Sequence, residues 1–229
     1  GPLEDILMKA KRNVTNDLVP DYINGFYAPL TDELGKLRVD SEEKNVPIIL
    51  KETESFLKTF LGVIKPARIL EIGCAVGYSA MFFAQLTGAE VYTIEKNSEM
   101  VETAVKNIES LGYAEKINVF EGDGEEIAEL LKKEGTKPFD VVFIDAAKSH
   151  YQRFFDACLP LCGPDTMIIA DNVLFKGRIA DDKYDPDGKY KTNIRRMREF
   201  IAYIMNKPSL DSSILAVGDG LSITRFKTI

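Results

Sequence analysis

The chain has 229 residues, of which 45% are hydrophobic and 28% are charged, and these values are ordinary for one well-packed α/β domain. No apolar run approaches the ~18 residues that a membrane-spanning helix needs, so we expect no membrane association. The net charge of −7 argues against nucleic-acid binding over the whole surface, although it is compatible with a local basic patch.

The N-terminal part of the chain is predicted to be helical. Residues 1–62 show no strand pattern, and Asn45-Val46-Pro47 marks a break before a predicted helix over Ile48–Leu61. We therefore expect a single domain over residues 1–229, made of a helical region at 1–62 and an α/β core at 63–229.

Short apolar runs alternate with amphipathic stretches after residue 63, and buried parallel strands give such runs. The predicted strands are Arg68–Ile72, Glu90–Glu95, Ile117–Phe120, Phe139–Ile144, Met167–Ala170, Ile214–Val217 and Leu221–Arg225. The predicted helices between the first six strands begin near Tyr78, Ser98, Glu125, Tyr151 and Lys191.

This alternation predicts right-handed crossovers and a doubly wound α/β fold. Only Gly218-Asp219-Gly220 separates the last two runs, and such a spacer is typical of a tight hairpin. The expected sheet is therefore seven-stranded and mostly parallel, with one antiparallel strand near its edge.

The cysteines give the expected compartment. Cys74, Cys158 and Cys162 are an odd number, and their spacing matches no zinc motif. We interpret them as core residues of a reduced, cytoplasmic protein.

Glycines and acidic residues follow the first three predicted strands. Gly73 and Gly77 have a Gly-x-x-x-Gly spacing, which lacks the Gly-x-Gly-x-x-Gly pattern of dinucleotide sites. Glu95 could accept from both ribose hydroxyls, and Asp123 could accept from an adenine amino group. With Glu71, these acids favour a cationic nucleoside ligand without phosphate, such as S-adenosylmethionine. Each acid taken alone could instead cap a helix.

Polar residues also follow the fourth and fifth strands. Asp145 ends the fourth, and Asp171 and Asn172 end the fifth. If these strands are neighbours, two carboxylates and an amide face one another, and this oxygen-only set suits Mg²⁺ or Ca²⁺ better than zinc. The alternative is that Asp171-Asn172 is a turn pair and Asp145 a helix cap.

Together these motifs resemble those of the cation-dependent O-methyltransferases, the family of catechol and caffeoyl-CoA O-methyltransferases, over nearly all of residues 45–226. The resemblance implies a Rossmann-like class I methyltransferase fold, S-adenosylmethionine as cofactor, Mg²⁺ or another divalent cation, and a homodimer. The implied cofactor contacts are Ile49, Glu71, Gly73, Ser79, Glu95, Asp123, Gly124 and Asp145.

The same resemblance implies the catalytic and metal-binding residues. Asp145, Asp171 and Asn172 would be the metal ligands. Lys148 and Asp145 would be catalytic, and Lys148 falls where catechol methyltransferases keep a lysine that takes the substrate proton. Cys74 and Gly124 stand where Thr and Ala are usual, and Gly124 is expected to loosen the adenine contact.

Several strings are most similar to the bacterial tRNA 5-hydroxyuridine methyltransferases, among them Phe143-Ile144-Asp145-Ala146-Ala147-Lys148 and Asp171-Asn172-Val173-Leu174-Phe175-Lys176-Gly177. This similarity implies methylation of the 5-hydroxyl of a wobble uridine and hence a tRNA anticodon partner. That hydroxyl lies beside the ring O4, so the pair can chelate a cation as a catechol does.

Two further observations favour RNA as the acceptor. The chain has no tryptophan, whereas catechol methyltransferases clamp their substrate with tryptophans, and residues 176–198 are rich in Lys and Arg. Phe154 is a possible stacking partner that is as easily a core residue. The candidate substrate contacts are Tyr151, Phe175, Lys176, Arg178, Arg195 and Arg196.

Two alternatives stay open. The first is a small-molecule O-methyltransferase of the catechol or caffeoyl-CoA type. The second is a non-catalytic module that binds the cofactor or RNA.

Overall fold

The computed structural model describes residues 18–228. Three helices precede the first strand: α1 Leu18–Asn24, α2 Asp32–Glu43 and α3 Lys51–Ile64. The predicted helical region is thus found from residue 18 onward, and its part at 1–17 lies outside the described residues. Helix α3 begins three residues later than predicted, because residues 46–50 are extended and Leu50 is its N-cap.

Seven strands and five further α-helices follow, with short 3₁₀ turns between them. They are β1 Arg68–Ile72, α4 Tyr78–Thr87, β2 Glu90–Glu95, α5 Ser98–Ser110, β3 Ile117–Glu121, α6 Gly124–Lys133, β4 Phe139–Ile144, α7 Tyr151–Cys158, β5 Cys162–Asp171, α8 Lys191–Asn206, β6 Leu210–Leu215 and β7 Leu221–Phe226. Within residues 18–228, we find no helix with the length and apolar character needed to cross a bilayer.

The strands form one sheet in the order β3-β2-β1-β4-β5-β7-β6. Strands β1 to β5 are parallel, whereas β7 is antiparallel to both β5 and β6. The predicted sheet with one antiparallel strand near its edge is therefore confirmed. The strand order reverses between β1 and β4, and ligands of doubly wound sheets bind at the carboxyl ends of such strands.

The sixth strand was predicted at the wrong place, over Ile214–Val217 instead of Leu210–Leu215. Its first half is polar and pairs with β7 through side chains: Ser212 shares a hydrogen bond with Thr224 at 2.8 Å, and Arg225 forms an ion pair with Asp211 at 2.9 Å. A search for apolar runs misses such a strand, because its stability comes from cross-strand polar pairs.

Alternate residues of the central strands pack on opposite faces of the sheet. In β4, Val141 and Phe143 point to the face covered by α3, α4 and α5, whereas Val142 and Ile144 point to the face covered by α6, α7 and α8. All four side chains are completely buried. These two packed faces hold the strand ends in fixed positions, and the candidate site is built on those ends.

The face of the sheet covered by α3, α4 and α5 allows a stability prediction at Phe83 of α4. Phe83 is fully buried and packs edge-on against Phe143, with ring centroids 5.1 Å apart. We expect Phe83→Ala to lower the free energy of unfolding by about 3–5 kcal/mol, because the lost ring leaves a cavity. Urea denaturation measures this. The matched control is Val63→Ala in α3, where the side chain is 78% exposed and the expected change is within about 0.5 kcal/mol.

Candidate functional site

A cavity of about 660 Å³ lies at the carboxyl ends of β1 and β4, where the strand order reverses. Its walls come from the loops after β1, β4 and β5 and from the extended segment before α3. Its lining includes the predicted site residues Ile49, Gly73, Ser79, Glu95, Asp145, Lys148, Asn172 and Lys176. The fold thus brings residues from distant parts of the sequence to one cavity.

Gly73 allows the loops after β1 and β4 to touch. Its φ is +95°, and a Cβ atom there would lie 1.8 Å from the carbonyl oxygen of Asp145. Only glycine is compatible with both conditions. The backbone amide of Gly73 donates to Ile94, and that of Asp145 donates to Ile72, so both loops continue the hydrogen bonding of the sheet.

Glu95, at the end of β2, is held by two backbone amides. One carboxylate oxygen accepts from Ala75 and the other from Asn97, each at 3.0 Å. The carboxylate lines the large cavity and also a second cavity of about 250 Å³ beside it. A fixed carboxylate at this junction is suited to accept hydrogen bonds from a vicinal diol.

One wall of the second cavity is formed by the ring of Phe154, which lies in the space where a side chain at position 124 would place its methyl group. The cavity is lined by Asp123, Gly124, His150 and Phe154 among others. A Cβ atom on Gly124 would lie 2.9 Å from the Phe154 ring, so the ring occupies the space that alanine would need. The Phe154 ring thus offsets part of the space that Gly124 leaves, and the looser adenine contact stays a prediction.

Asp123 caps helix α6, as the alternative for single acidic residues allowed. Its side chain accepts from the amides of Glu125 and Glu126, and Arg153 binds both carboxylate oxygens at 2.8 and 2.9 Å. The Arg153 guanidinium holds the pKa of this carboxyl below its usual value. Asp123 lines the second cavity, but capping and ion pairing already use much of its accepting capacity.

Glu71 is an implied cofactor contact, yet its side chain does not line the large cavity, because it is fully buried beneath the cavity wall. The Ser79 hydroxyl donates to one carboxyl oxygen, and the Thr93 hydroxyl donates to the other at 2.6 Å. Burial raises the pKa of Glu71 to about 8, although the two hydroxyls oppose the shift. Glu71 therefore reaches the cavity only through Ser79, which does line it.

Asp145, Asp171 and Asn172 meet where β4 and β5 end side by side. The Asn172 side-chain amide donates to Asp145 at 2.9 Å, and the Asn172 backbone amide donates to the Asp171 carboxylate at 2.7 Å. Asn172 has a φ of +63°, which turns its side chain back over the strand ends. Burial raises the pKa of Asp145 to about 6 and raises that of Asp171, on which the Asp145 charge acts in the same direction.

Lys148 lines the cavity next to these carboxylates and lies against an aromatic ring. Its ammonium nitrogen is 5.0 Å from the centroid of Phe175, and the Arg178 guanidinium is 5.0 Å from the same centroid. Phe175 in turn packs edge-on against Tyr190 at 5.3 Å. This stack of two cations and two rings forms the cavity edge on the side of the loop after β5.

The structure corrects the predicted stacking residues. Tyr151 is 1% exposed and donates its hydroxyl to the backbone carbonyl of Asp171, so it supports the strand end from below. Phe175 is 6% exposed and already covered by Lys148 and Arg178. Both predictions of an open stacking surface are wrong, because these rings complete the packing around the site.

The predicted basic contacts are divided between different surfaces. Lys176 lines the large cavity. Arg196 lines a separate polar cavity between α7 and α8, and Arg195 pairs with Glu199 at 3.6 Å on the exposed side of α8. Of the predicted substrate residues, only Lys176 is part of the large cavity, and Arg178 reaches its edge through Phe175.

Sequence reasoning did not assign eight lining residues of the large cavity to the site: Pro47, Ile48, Leu50, Cys74, Ala75, Ala146, Gly218 and Asp219. Asp219 was interpreted only as part of a hairpin turn, yet its carboxylate accepts from the Lys176 backbone amide at 2.5 Å. The acidic residues that follow several other strands form a pattern that would have identified Asp219 as a candidate site residue as well. Leu50 gave no such signal, because it was assigned to a helix.

The comparisons with known proteins agree with this architecture. A family model described as O-methyltransferase matches residues 27–227, which include every residue that lines the two cavities. The chain is 30% identical to the catechol O-methyltransferase of Niastella koreensis over 162 residues, which cover 70% of this chain and 71% of that protein.

Two solved structures are similar over most of the chain. A Staphylococcus aureus protein proposed to be a caffeoyl-CoA O-methyltransferase has a TM-score of 0.85 and 28% identity, covering 92% of this chain and 100% of its own. The Bacillus cereus O-methyltransferase, solved in complex with S-adenosylhomocysteine (SAH), has a TM-score of 0.79 and 26% identity, covering 92% and 97% respectively.

The raised pKa of Glu71 predicts a pH-dependent stability. The unfolded chain releases this proton near the ordinary value of 4.5, whereas the folded chain keeps it until about pH 8. The contribution of Glu71 to stability is thus complete below pH 4.5 and is lost as the pH rises to about 8.

We therefore expect Glu71→Gln, which carries no such proton, to become progressively more stable than the unchanged protein between pH 5 and 8. The difference can grow by at most about 1.4 kcal/mol per pH unit. Urea denaturation of both proteins across this range measures it. A difference that stays constant with pH would contradict the prediction.

Proposed function

The chain belongs to the family of cation-dependent O-methyltransferases, and from this premise we propose that it methylates the 5-hydroxyl of 5-hydroxyuridine at the tRNA wobble position with the help of a divalent cation, Mg²⁺ above all. The coarser activity, S-adenosylmethionine-dependent O-methyl transfer, follows from the family. The observation that carries the finer proposal is the convergence of Asp145, Asn172 and Lys148 on one cavity.

The charge of the large cavity suits a cationic methyl donor. Glu95, Asp145 and Asp219 line it. Bound S-adenosylmethionine supplies a methyl group on a positively charged sulfur. Nearby carboxylates stabilise this positive charge, whereas they would repel the negative charge of a pyrophosphate. Glu95 would hold the ribose, and the second cavity, closed by Phe154, would hold the adenine.

The strand ends of β4 and β5 fit a hard divalent cation. Asp171 is a buried carboxyl and Asp145 a half-buried one, their charges repel each other, and a cation between them would remove that repulsion. The Asn172 amide nitrogen now donates to Asp145, so binding of a cation would turn the amide oxygen towards it, and the set would then contain only oxygen donors. Such a cation would bind the acceptor hydroxyl and lower its pKa.

The residues around this set would orient the acceptor and accept its proton. Lys148 lines the cavity beside Asp145, and the end of its side chain packs against the Phe175 ring. This contact defines the position of Lys148 before a substrate binds. We assign Lys148, in its neutral amine form, the role of proton acceptor, so that the hydroxyl proton passes to the amine and leaves an ammonium group and an oxyanion. Most of the rate enhancement would come from holding the hydroxyl in line with the methyl group.

The cations near the cavity support an RNA acceptor. Lys176 lines the cavity, Arg178 stacks at its edge, and Lys189 lies 5.3 Å from the ring of Tyr190 in the same stack. Positive charge beside a reactive pocket attracts a polyanionic substrate. A nucleobase would have to enter between Lys148 and Lys176, since Tyr151 and Phe175 are covered.

A second candidate is favoured by the relatives. The protein of Niastella koreensis is a catechol O-methyltransferase, and a catechol offers the same two adjacent oxygens as 5-hydroxyuridine. A small catechol-like acceptor would need none of the basic residues outside the cavity.

A homodimer and a cytoplasmic location stay predictions. Support for the dimer comes from exposed aromatic side chains on and next to α1: Tyr22 is 71% exposed and Phe26 is 74% exposed.

A direct assay separates the two acceptors. We expect the purified protein with S-adenosylmethionine and Mg²⁺ to methylate tRNA that carries 5-hydroxyuridine at the wobble position, and not the same tRNA with uridine there. EDTA should abolish the reaction, and excess Mg²⁺ should restore it. Mass spectrometry of the nucleosides measures the product. Transfer to catechol or caffeoyl-CoA but not to this tRNA would establish the second candidate.

The metal-binding role is tested in the same assay by Asp171→Ala. We expect this variant to lower kcat/KM by roughly 100-fold or more, because the cation loses a ligand. Asp187→Ala removes an exposed carboxylate from the loop before α8 and serves as the matched control, with activity retained. Similar losses in both variants would contradict the assigned ligand role.

Lys148 and Lys176 line the same cavity and allow a matched comparison. We expect Lys148→Ala to lower kcat by about 10²–10⁴-fold with little change in S-adenosylmethionine affinity, because the proton acceptor is lost. Lys176→Ala should raise the KM for tRNA and leave most of kcat. Steady-state kinetics and calorimetric titration measure both. Equal losses of turnover and cofactor affinity in Lys148→Ala would contradict its catalytic role.

A further inference from the structure

A buried arginine joins the N-terminal helices to the cofactor region. Arg38 of α2 is 3% exposed and uses its whole guanidinium group. Its Nε donates to the Tyr27 hydroxyl at 3.0 Å, and Nη1 donates to Glu42 at 3.1 Å. Its Nη2 donates to the Ile49 carbonyl at 2.7 Å and to the Glu54 carboxylate at 3.1 Å.

Two tyrosine rings enclose this guanidinium. Its central carbon is 5.2 Å from the centroid of Tyr27 and 4.9 Å from that of Tyr78. The two hydroxyls lie 3.2 Å apart, and the Tyr78 hydroxyl donates to Glu54. Tyr78 is the first residue of α4 and immediately precedes Ser79, which lines the large cavity.

The Arg38 network therefore touches two walls of the large cavity. One wall is the extended segment 47–50, which contains Ile49, and the other is the start of α4. Backbone hydrogen bonds hold the two ends of the segment: the Val46 amide donates to the Ser41 carbonyl, and the Glu54 amide donates to the Leu50 carbonyl. The bond from Arg38 to the Ile49 carbonyl holds the middle of the segment between these points.

A gain in folding stability does not by itself explain why the Arg38–Glu54 ion pair is buried. Removing Arg38 and Glu54 from water costs free energy that their attraction only partly returns, and apolar side chains of similar volume often stabilise a core equally well. A planar guanidinium with several directed donors instead fixes the relative positions of the groups that it binds.

We propose that Arg38 is a positioning residue that fixes the Ile49 segment against Tyr78 and so sets the width of the cavity for S-adenosylmethionine. This inference rests on the proposed assignment of the cavity to the cofactor. Arg38 touches no reacting atom, so its loss should weaken cofactor binding more than it slows methyl transfer at saturating cofactor.

The test removes both charges at once. The double variant Arg38→Met/Glu54→Gln leaves no buried charge without its partner, so its melting temperature should stay close to that of the unchanged protein. We expect the Kd for SAH, measured by calorimetry, and the KM for S-adenosylmethionine to rise about 10-fold or more, while kcat changes by less than about threefold. Arg38→Lys should not restore the affinity, because a lysine cannot reproduce the planar fork.

The matched control is Arg68→Met/Glu90→Gln at the other end of the sheet. Arg68 also lies against two rings, Tyr92 and Phe139, at 5.1 and 4.9 Å, and it pairs with Glu90 at 2.7 Å. It does not line either cavity. This variant should bind SAH with an unchanged Kd.

The outcomes are distinct. Unchanged SAH affinity in the folded Arg38 double variant would overturn the inference and leave the proposed function intact. Absence of SAH binding by the unchanged protein would overturn the cofactor site itself. If the double variant does not fold, Tyr78→Phe decides: we expect the Kd to rise about threefold through loss of the bond to Glu54, and an unchanged Kd overturns the inference.

Discussion

The whole site depends on the contact between the loops that follow β1 and β4. Gly73 lies so close to the Asp145 carbonyl that any side chain there would overlap it. This contact occurs at the point where the strand order reverses, so the two loops diverge above it and leave the large cavity between them. The positions of Asp145 and of everything that follows it, Lys148 included, are set by this approach of one backbone to another.

A second constraint is the number of carboxyl groups placed around that contact. Glu71 and Asp171 are buried, Asp145 is half-buried, and each has a raised pKa. Burying them opposes folding unless cations or hydrogen-bond donors compensate. Hydroxyls compensate Glu71, and Lys148 partly compensates Asp145. The remaining imbalance favours cationic ligands, such as the sulfonium of the methyl donor and the divalent cation that we propose.

The sequence predicted the apolar strands and the acidic residues at their ends, because burial and strand alternation leave a direct pattern in the chain. It did not predict what depends on local geometry. The polar half of β6 has no apolar pattern, and the extended residues before Lys51 look helical because Ile48 and Ile49 line a cavity instead of a helix face. The filling of the Gly124 site by Phe154 is a contact between residues 30 positions apart, which no local pattern contains.

The same distinction separates the part of the site that binds the methyl donor from the part proposed to bind the acceptor. The donor side rests on strand ends held by two packed faces of the sheet, whereas the proposed acceptor side is a loop with left-handed residues at Phe175 and Lys176, fixed to the turn at Asp219. Positive φ angles at residues other than glycine cost energy and persist only where other contacts enforce them. Because such loops can change while the sheet stays constant, a shared fold determines the methyl donor more firmly than the group that receives the methyl.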